Sequence, residues 1–398
     1  MDVDCCVVGG GLAGLTLALE LAQLGKSVVL LEAGRVCGSA SGRNGGFVSN
    51  GFALGAGDLF NRAGRDDARA FYELSRQGTE YVRRTIKDND PSVTMGEGLR
   101  VCIRYADKGG LAEYGNMLQR EFGETVSMLG TGETRLLLRT ERYHDSLYFP
   151  HAFHIHPLRY GLLLAGLAAT SRVAIHENSA AQSIERDGAA WRVDCFGGQV
   201  LARDVVVCVS SLDRGLHIET GQAVLPVATH VAVTNPLHQD SIMTSAAIAD
   251  TRRAGDYYRL VNGNRLLWGG RITTRVTEPR DLKSLMLRDI ERTFPELKTA
   301  SIAYAWSGQM AYALHKMPLI GRDKAGIWYA TGFGGHGLNT TAMAGQLLAR
   351  AIAERDDGYR RFAMFPARWA GGVLGRIGVQ SAYWWMQARD FRDERLKR

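Results

Sequence analysis

The first thirty-two residues constrain this chain more than any other stretch. A short apolar, β-branched run from Asp4 to Val8 ends in Gly9-Gly10-Gly11-Leu12-Ala13-Gly14, and Leu15, Ala18, Leu19 and Ala22 then recur at helical spacing before Gly25. Lys26 to Glu32 reads as a second buried strand that stops on an acid. Strand, turn, helix and strand make one βαβ unit of a parallel sheet. Gly9 permits the tight turn, Gly11 lets backbone approach a pyrophosphate, and Gly14 lets the helix pack on the strand. Free N–H groups beyond Gly11 and the helix dipole suit phosphate. Glu32, eighteen residues beyond Gly14, is placed to accept hydrogen bonds from a ribose. As a bare pattern the glycines describe any tight turn; strand, helix and terminal acid in register favour a dinucleotide.

Glycine supplies 47 of the 398 residues, about 12% against a usual value of about 7%, and two further glycine clusters explain part of the excess. Ser39-Ala40-Ser41-Gly42-Arg43-Asn44-Gly45-Gly46 follows the second strand directly, where a simple NAD-binding repeat would enter its next crossover, and reads as a loop that wraps a cofactor. Far downstream, a strand over 326–331 leads into Gly332-Phe333-Gly334-Gly335-His336-Gly337 and then a helix through about Glu354. Two glycine turns, one near each end, are what a cofactor clasped by both termini needs.

Between them, 58–84 and 111–122 read as helical, 97–105 as strand, and 160–169 as an apolar helix after His156-Pro157. Strands are expected at 173–176, 191–195 and 204–208, β-rich segments at 223–249 and 257–272, and an amphipathic helix at 281–294. No internal repeat or long linker separates these, which predicts interleaved domains. Six cysteines lack C-x-x-C or zinc spacing, so no metal is expected and a reducing, cytoplasmic compartment fits. No apolar run reaches the roughly 18 residues of a membrane span. The net charge, 48 − 41 = +7, comes from scattered Lys and Arg, which argues against nucleic acid.

Taken together, Gly9 through Gly14, Glu32-Ala33, Ser41 through Gly46, His154-Ile155-His156-Pro157, Asp256 through Leu260, Asn264 through Leu267, Trp306-Ser307-Gly308 and Gly332 through Gly337 resemble the D-amino-acid-oxidase-like family of flavin-dependent amine and amino-acid oxidases. The resemblance spans nearly the whole chain. It implies a mixed α/β fold in which a Rossmann-type FAD-binding domain (1–60, 145–214, 305–362) interleaves with a β-rich substrate domain (61–144, 215–304), followed by a helical tail (363–398). It implies FAD near Gly9, Gly11, Leu12, Ala13 and Gly14, with Glu32, Ala33, Arg35 and the Ala181 backbone at the adenosine. Ser41, Gly42, Arg43, Asn44, Gly45 and Gly46 would lie near the pyrophosphate and flavin. Gly308, Gly332, Gly335, His336, Gly337, Leu338 and Asn339 would lie around the isoalloxazine. Some relatives tether flavin through a cysteine that Ala313 to Pro318 lacks, so non-covalent FAD is expected; some carry a lysine where Asn339 stands, which bears on oxygen use.

The chemistry implied is transfer of hydride from the α-carbon of an amine, with O2 or another acceptor reoxidising the flavin. A basic, aromatic pocket would keep the amine unprotonated and bind a carboxylate elsewhere on it. Its expected lining is Phe47, Tyr257, Tyr258, Arg259, Trp268, Arg271, Trp306, His315 and His336, although Tyr and Trp in strands are more often core than pocket and Arg is commonly paired or solvated. His154 and His156 read equally as structural residues. Acylated diamines such as γ-glutamyl-capped ones are the expected substrates; sarcosine, glycine or D-amino acids, a quinone-linked dehydrogenase and a flavoprotein without turnover are the alternatives. The tail from Trp369 mixes aromatic residues with arginines, which permits membrane-surface contact, but Gly371, Gly372, Gly375 and Gly378 favour packing onto the body with only the charged end solvated.

Overall fold

The computed structural model describes residues 2–105, 109–211, 215–238 and 241–396. Two sheets organise these residues. The first runs, edge to edge, through 319–322, 328–331, 198–207, 2–8, 28–31 and 174–176, with 181–187 and 190–195 added as an antiparallel extension. Val28–Leu31 and Gly198–Val207 flank Asp2–Val8 in parallel, Cys5 opposite both Val28 and Asp204. Burial on both faces explains the unbroken apolar run of the first strand. The helices Leu12–Gln23, Arg65–Asn89, Pro157–Thr170 and Gly337–Glu354 cover one face; the antiparallel extension packs on the other through Trp191 and Val193.

The second sheet runs 302–313, 224–234, 265–273, 257–261, 247–250, 94–102, 146–155 and 47–48, with 127–129 beside 146–155. Its far face is a core of Tyr258, Trp268, Phe294, Met286 and Ile290. Phe47–Val48, Ser146–Ile155 and most of Ile302–Ala313 lie within the segments expected for the FAD-binding domain, and they pair with the second sheet. The helix read at 58–84 is two helices, Ala56–Ala63 and Arg65–Asn89, broken at Gly64 with φ +78°.

The tail is helical over Gly372–Leu396, but its polarity is the reverse of the expected one. Its polar side meets the body: Gln380 Oε1 accepts from Thr273 Oγ1 and the Thr274 N–H, and Asp390 and Asp393 both accept from Arg253. Leu374, Ile377, Trp384, Trp385 and Phe391 face solvent. The glycines serve the helix start, where a Cβ on Gly375 would stand 1.9 Å from the Ala370 carbonyl oxygen, and nothing lies within 4 Å of a Cβ on Gly378. Lys397 and Arg398 lie outside the described residues.

Candidate active site

A cavity of about 1150 Å3 runs from the first βαβ unit to the inner face of the second sheet. That exceeds the ~300–1,000 Å3 of a single small-ligand pocket. At one end the glycine turn is built by close approach. A Cβ on Gly14 would stand 2.0 Å from the Gly9 carbonyl oxygen, so only glycine lets the helix start there. Glu32 locks the turn, with Oε2 accepting from the Gly10 N–H (2.7 Å) and Oε1 from the Gly34 N–H (2.8 Å), while the Leu12 N–H donates to Ser41 Oγ (3.0 Å). Each Glu32 oxygen keeps a lone pair for a ribose hydroxyl. Gly9, Gly11, Leu12, Ala13, Glu32 and Ala33 line this end, with Ala181 across from them.

The Ser39–Gly46 loop forms the next wall through Ser41, Arg43, Asn44, Gly45 and Gly46. Arg259 supports it from beneath: Nε donates to the Gly45 carbonyl (2.7 Å), Nη2 to the Ile155 carbonyl (2.7 Å), and Nη1 to His154 Nδ1 (3.0 Å). Gly46, at φ +82°, could hold no side chain there, since its Cβ would lie 2.1 Å from the Ile155 oxygen. Burial lowers the Arg259 pKa to about 10, leaving it cationic at neutral pH. Burial, reinforced by the Arg259 charge, lowers His154 to about 4, so its imidazole stays neutral.

The far wall is aromatic. Phe47 and Tyr257 meet edge to face at 5.4 Å, and the Tyr257 ring lies over Gly269 on the neighbouring strand, where any Cβ would collide with it. Burial raises the Tyr257 hydroxyl to about 12. Gly308, Met310 and Tyr312 project from one strand face, and the second glycine turn closes the wall with Gly335, His336, Gly337 and Leu338 at a helix start. His336 Nε2 donates to the Ser49 carbonyl (3.1 Å), and burial lowers its pKa, so it too is neutral at neutral pH. Among the described lining residues the only acid is Glu32, tied at the opposite turn. A surface of neutral aromatics with Arg43, Arg253 being paired with Asp390 and Asp393, disfavours an ammonium ion and favours the neutral amine.

Several expected residues lie elsewhere. Tyr258 and Trp268 stack on each other at 4.7 Å in the far-face core, because successive strand residues point to opposite faces and Tyr257 takes the cavity side. Arg259 and His154 act beneath the loop, not in the cavity, and His156 caps the helix at Pro157 through Nδ1. Trp306 is half-buried outside the lining, its Nε1–H bonded to the Arg43 carbonyl. His315 packs on Phe365 and accepts from the Met317 N–H. Arg271 pairs with Asp289, and Arg35 with Glu177 on the outer surface. Gly14, Gly42 and Gly332 pack against Gly9, Cys37 and Val224 without reaching the cavity. Asn339 is buried against the Arg65–Asn89 helix side, donating to the Gly51 and Ser75 carbonyls, so it does not line the cavity. Met310, Tyr312, Thr229 and Arg253 line it and were not expected; counting by twos from Gly308 would have found the first two.

Residues 4–351 match the family described as DAO: FAD dependent oxidoreductase. The chain is 32% identical to the gamma-glutamylputrescine oxidoreductase of Escherichia coli (strain K12), over 97% of this chain and 93% of that one. It is 29% identical to the probable oxidoreductase OrdL of Haemophilus influenzae (strain ATCC 51907 / DSM 11121 / KW20 / Rd), over 95% and 90%. Among solved structures, glycine oxidase from Geobacillus kaustophilus superposes with a TM-score of 0.77 at 20% identity, covering 92% of this chain and 98% of that one.

Proposed function

This chain belongs to the DAO family of FAD-dependent oxidoreductases, and we propose on that footing that it oxidises the carbon beside an amine nitrogen, with an acylated diamine of the γ-glutamylputrescine kind as substrate. The observation that carries the reading is the continuity of one cavity from the glycine turn to an aromatic wall without a free carboxylate among the described residues. FAD fits the turn end: Glu32, Ala33 and Ala181 would take the adenosine, Gly11 to Ala13 and Ser41 the pyrophosphate, and Asn44, Gly308 and Gly335 to Leu338 the ring. When bound, FAD supplies a two-electron acceptor for the hydride leaving the amine's α-carbon.

The protein's part is positioning and dryness. Phe47, Tyr257 and Tyr312 exclude water and hold the alkyl chain, and with no facing acid among the described residues the nitrogen lone pair stays free to form C=N as hydride departs. Water then adds to the imine and releases ammonia, leaving an aldehyde. We assign O2, reduced to H2O2, as the acceptor; the solvent-facing aromatic stripe of the C-terminal helix favours a membrane quinone as the second reading. FAD is held without a covalent bond: Ala313 to Pro318 contains no cysteine, and burial raises the thiol of Cys208, beside Gly9, to about 12, where it stays protonated and unreactive. Anaerobic reduction by the acylated diamine followed by admission of air tests both parts. Bleaching with fast recovery supports the oxidase, bleaching with slow recovery moves the acceptor to a quinone, and no bleaching by any amine removes the reading.

A further inference from the structure

The C-terminal helix turns its acids inward and leaves most of its large apolar side chains exposed. Its three acids all face the body: Asp390 and Asp393 bind Arg253 at 2.9 and 3.1 Å, and Glu394 binds the Arg104 Nε–H at 2.8 Å. Beside that inner side Ile377, Trp384 and Phe391 are 58%, 51% and 57% exposed, Phe391 at the rim of the cleft it lines with Asp390 and Glu394, and farther round the helix Leu374 and Trp385 are 75% and 57% exposed. Ile377, Trp384 and Phe391 recur two helical turns apart, so they share one face. Trp369 and Val373 extend the stripe at the helix start. A contiguous patch of this kind on a soluble chain marks an interaction surface.

The charge around the stripe selects its occupant. Arg389 lies over the Trp385 ring at 4.7 Å and Arg395 over Phe391 at 4.0 Å, while Arg392 reaches Asp393 at 3.5 Å with its side chain 61% exposed. Arg275 from the body lies over Trp384 at 5.4 Å. The outward surface therefore combines aliphatic and aromatic side chains with guanidinium groups, and every acid of the helix is consumed on the inner side. A second copy of this surface would set arginine against arginine. Nucleic acid would leave Leu374 and Ile377 without apolar partners. An anionic bilayer surface accommodates both sets, taking the apolar side chains into the acyl boundary and the guanidinium groups at the headgroup phosphates.

We propose that this helix docks the enzyme on an anionic lipid surface, lying in the plane of the interface. No helix among the described residues is long and apolar enough to cross a membrane. The inward bonds of Gln380, Asp390, Asp393 and Glu394 hold the helix to the body, so the folded enzyme presents the stripe without rearrangement.

Flotation of the FAD-loaded enzyme with vesicles tests this. The enzyme should rise with vesicles of phosphatidylglycerol and phosphatidylcholine in equal parts and stay behind with phosphatidylcholine alone. Trp384→Ser with Trp385→Ser should lower the vesicle-bound fraction about tenfold while leaving flavin content unchanged. Arg392→Glu with Arg395→Glu, which keeps the aromatic stripe, should remove the preference for anionic vesicles. Failure to float with anionic vesicles, equal flotation with neutral ones, or a dimer in sedimentation that the tryptophan variant dissolves would each overturn the proposal.

Discussion

His154 supports the Ser39–Gly46 loop through Arg259 as a neutral ring, with Nδ1 accepting from Arg259 and Nε2 donating to the Ser245 carbonyl at 2.7 Å. Its folded pKa of about 4 lies below the ordinary 6.5. Between those values the unfolded chain binds the proton and the folded one does not, so stability is full above the ordinary value and is lost as pH falls toward the folded one. At about pH 5 the loss is about 2 kcal/mol relative to neutral pH. Denaturant midpoints of wild type and His154→Gln should therefore diverge in their pH dependence by that amount; parallel slopes would contradict it. Gly11 is a second single-atom constraint, since a Cβ there would stand 2.9 Å from Ser41 Oγ, which already accepts from Leu12. Gly11→Val should purify without flavin while keeping its far-ultraviolet circular dichroism, and an unchanged flavin-to-protein ratio would remove the pyrophosphate assignment. The adjacent pair Tyr257 and Tyr258 marks what residue types alone leave open. Both suit a strand, and only the partner faces, Gly269 for one and Trp268 for the other, settle which enters the cavity.

The first βαβ unit and the closing turn with its helix were legible as elements because each carries its own local grammar: apolar run, glycine turn, amphipathic helix. The long strand Ile302–Ala313 carries no such signal, since its burial is intermediate along most of its length and its order comes from pairing with Val224–Thr234. The C-terminal helix was legible in type but not in orientation. Aromatic residues suggested the buried side and charges the solvated side, whereas three acids find arginines on the body and turn the helix over. The helix is held by those pairs, so Asp390→Asn should loosen it at a cost of about 1–3 kcal/mol, the range for a disrupted buried polar contact. Limited proteolysis between Pro366 and Gly372 should be several-fold faster in the variant with flavin content unchanged, and equal cleavage rates would show that other contacts hold the helix.

At the scale of the whole molecule, the cavity is lined from both sheets. The parallel sheet brings the glycine turn at Gly9 to Ala13, and the second sheet brings Tyr257, Met310 and Tyr312 to the opposite end. Neither sheet alone joins the glycine turn to an aromatic wall, so the cavity depends on segments some three hundred residues apart in sequence. Arg43 on the lining suits a substrate with an anionic group distant from its reacting nitrogen, which a γ-glutamyl cap provides and a free amine lacks, whereas Arg253 is already paired with Asp390 and Asp393. The direct measurement is the anaerobic rate of flavin bleaching in the FAD-loaded enzyme mixed with γ-glutamylputrescine, putrescine, glycine or sarcosine. The account predicts that γ-glutamylputrescine bleaches the flavin fastest; faster bleaching by glycine or sarcosine, or none by any of the four, would contradict it.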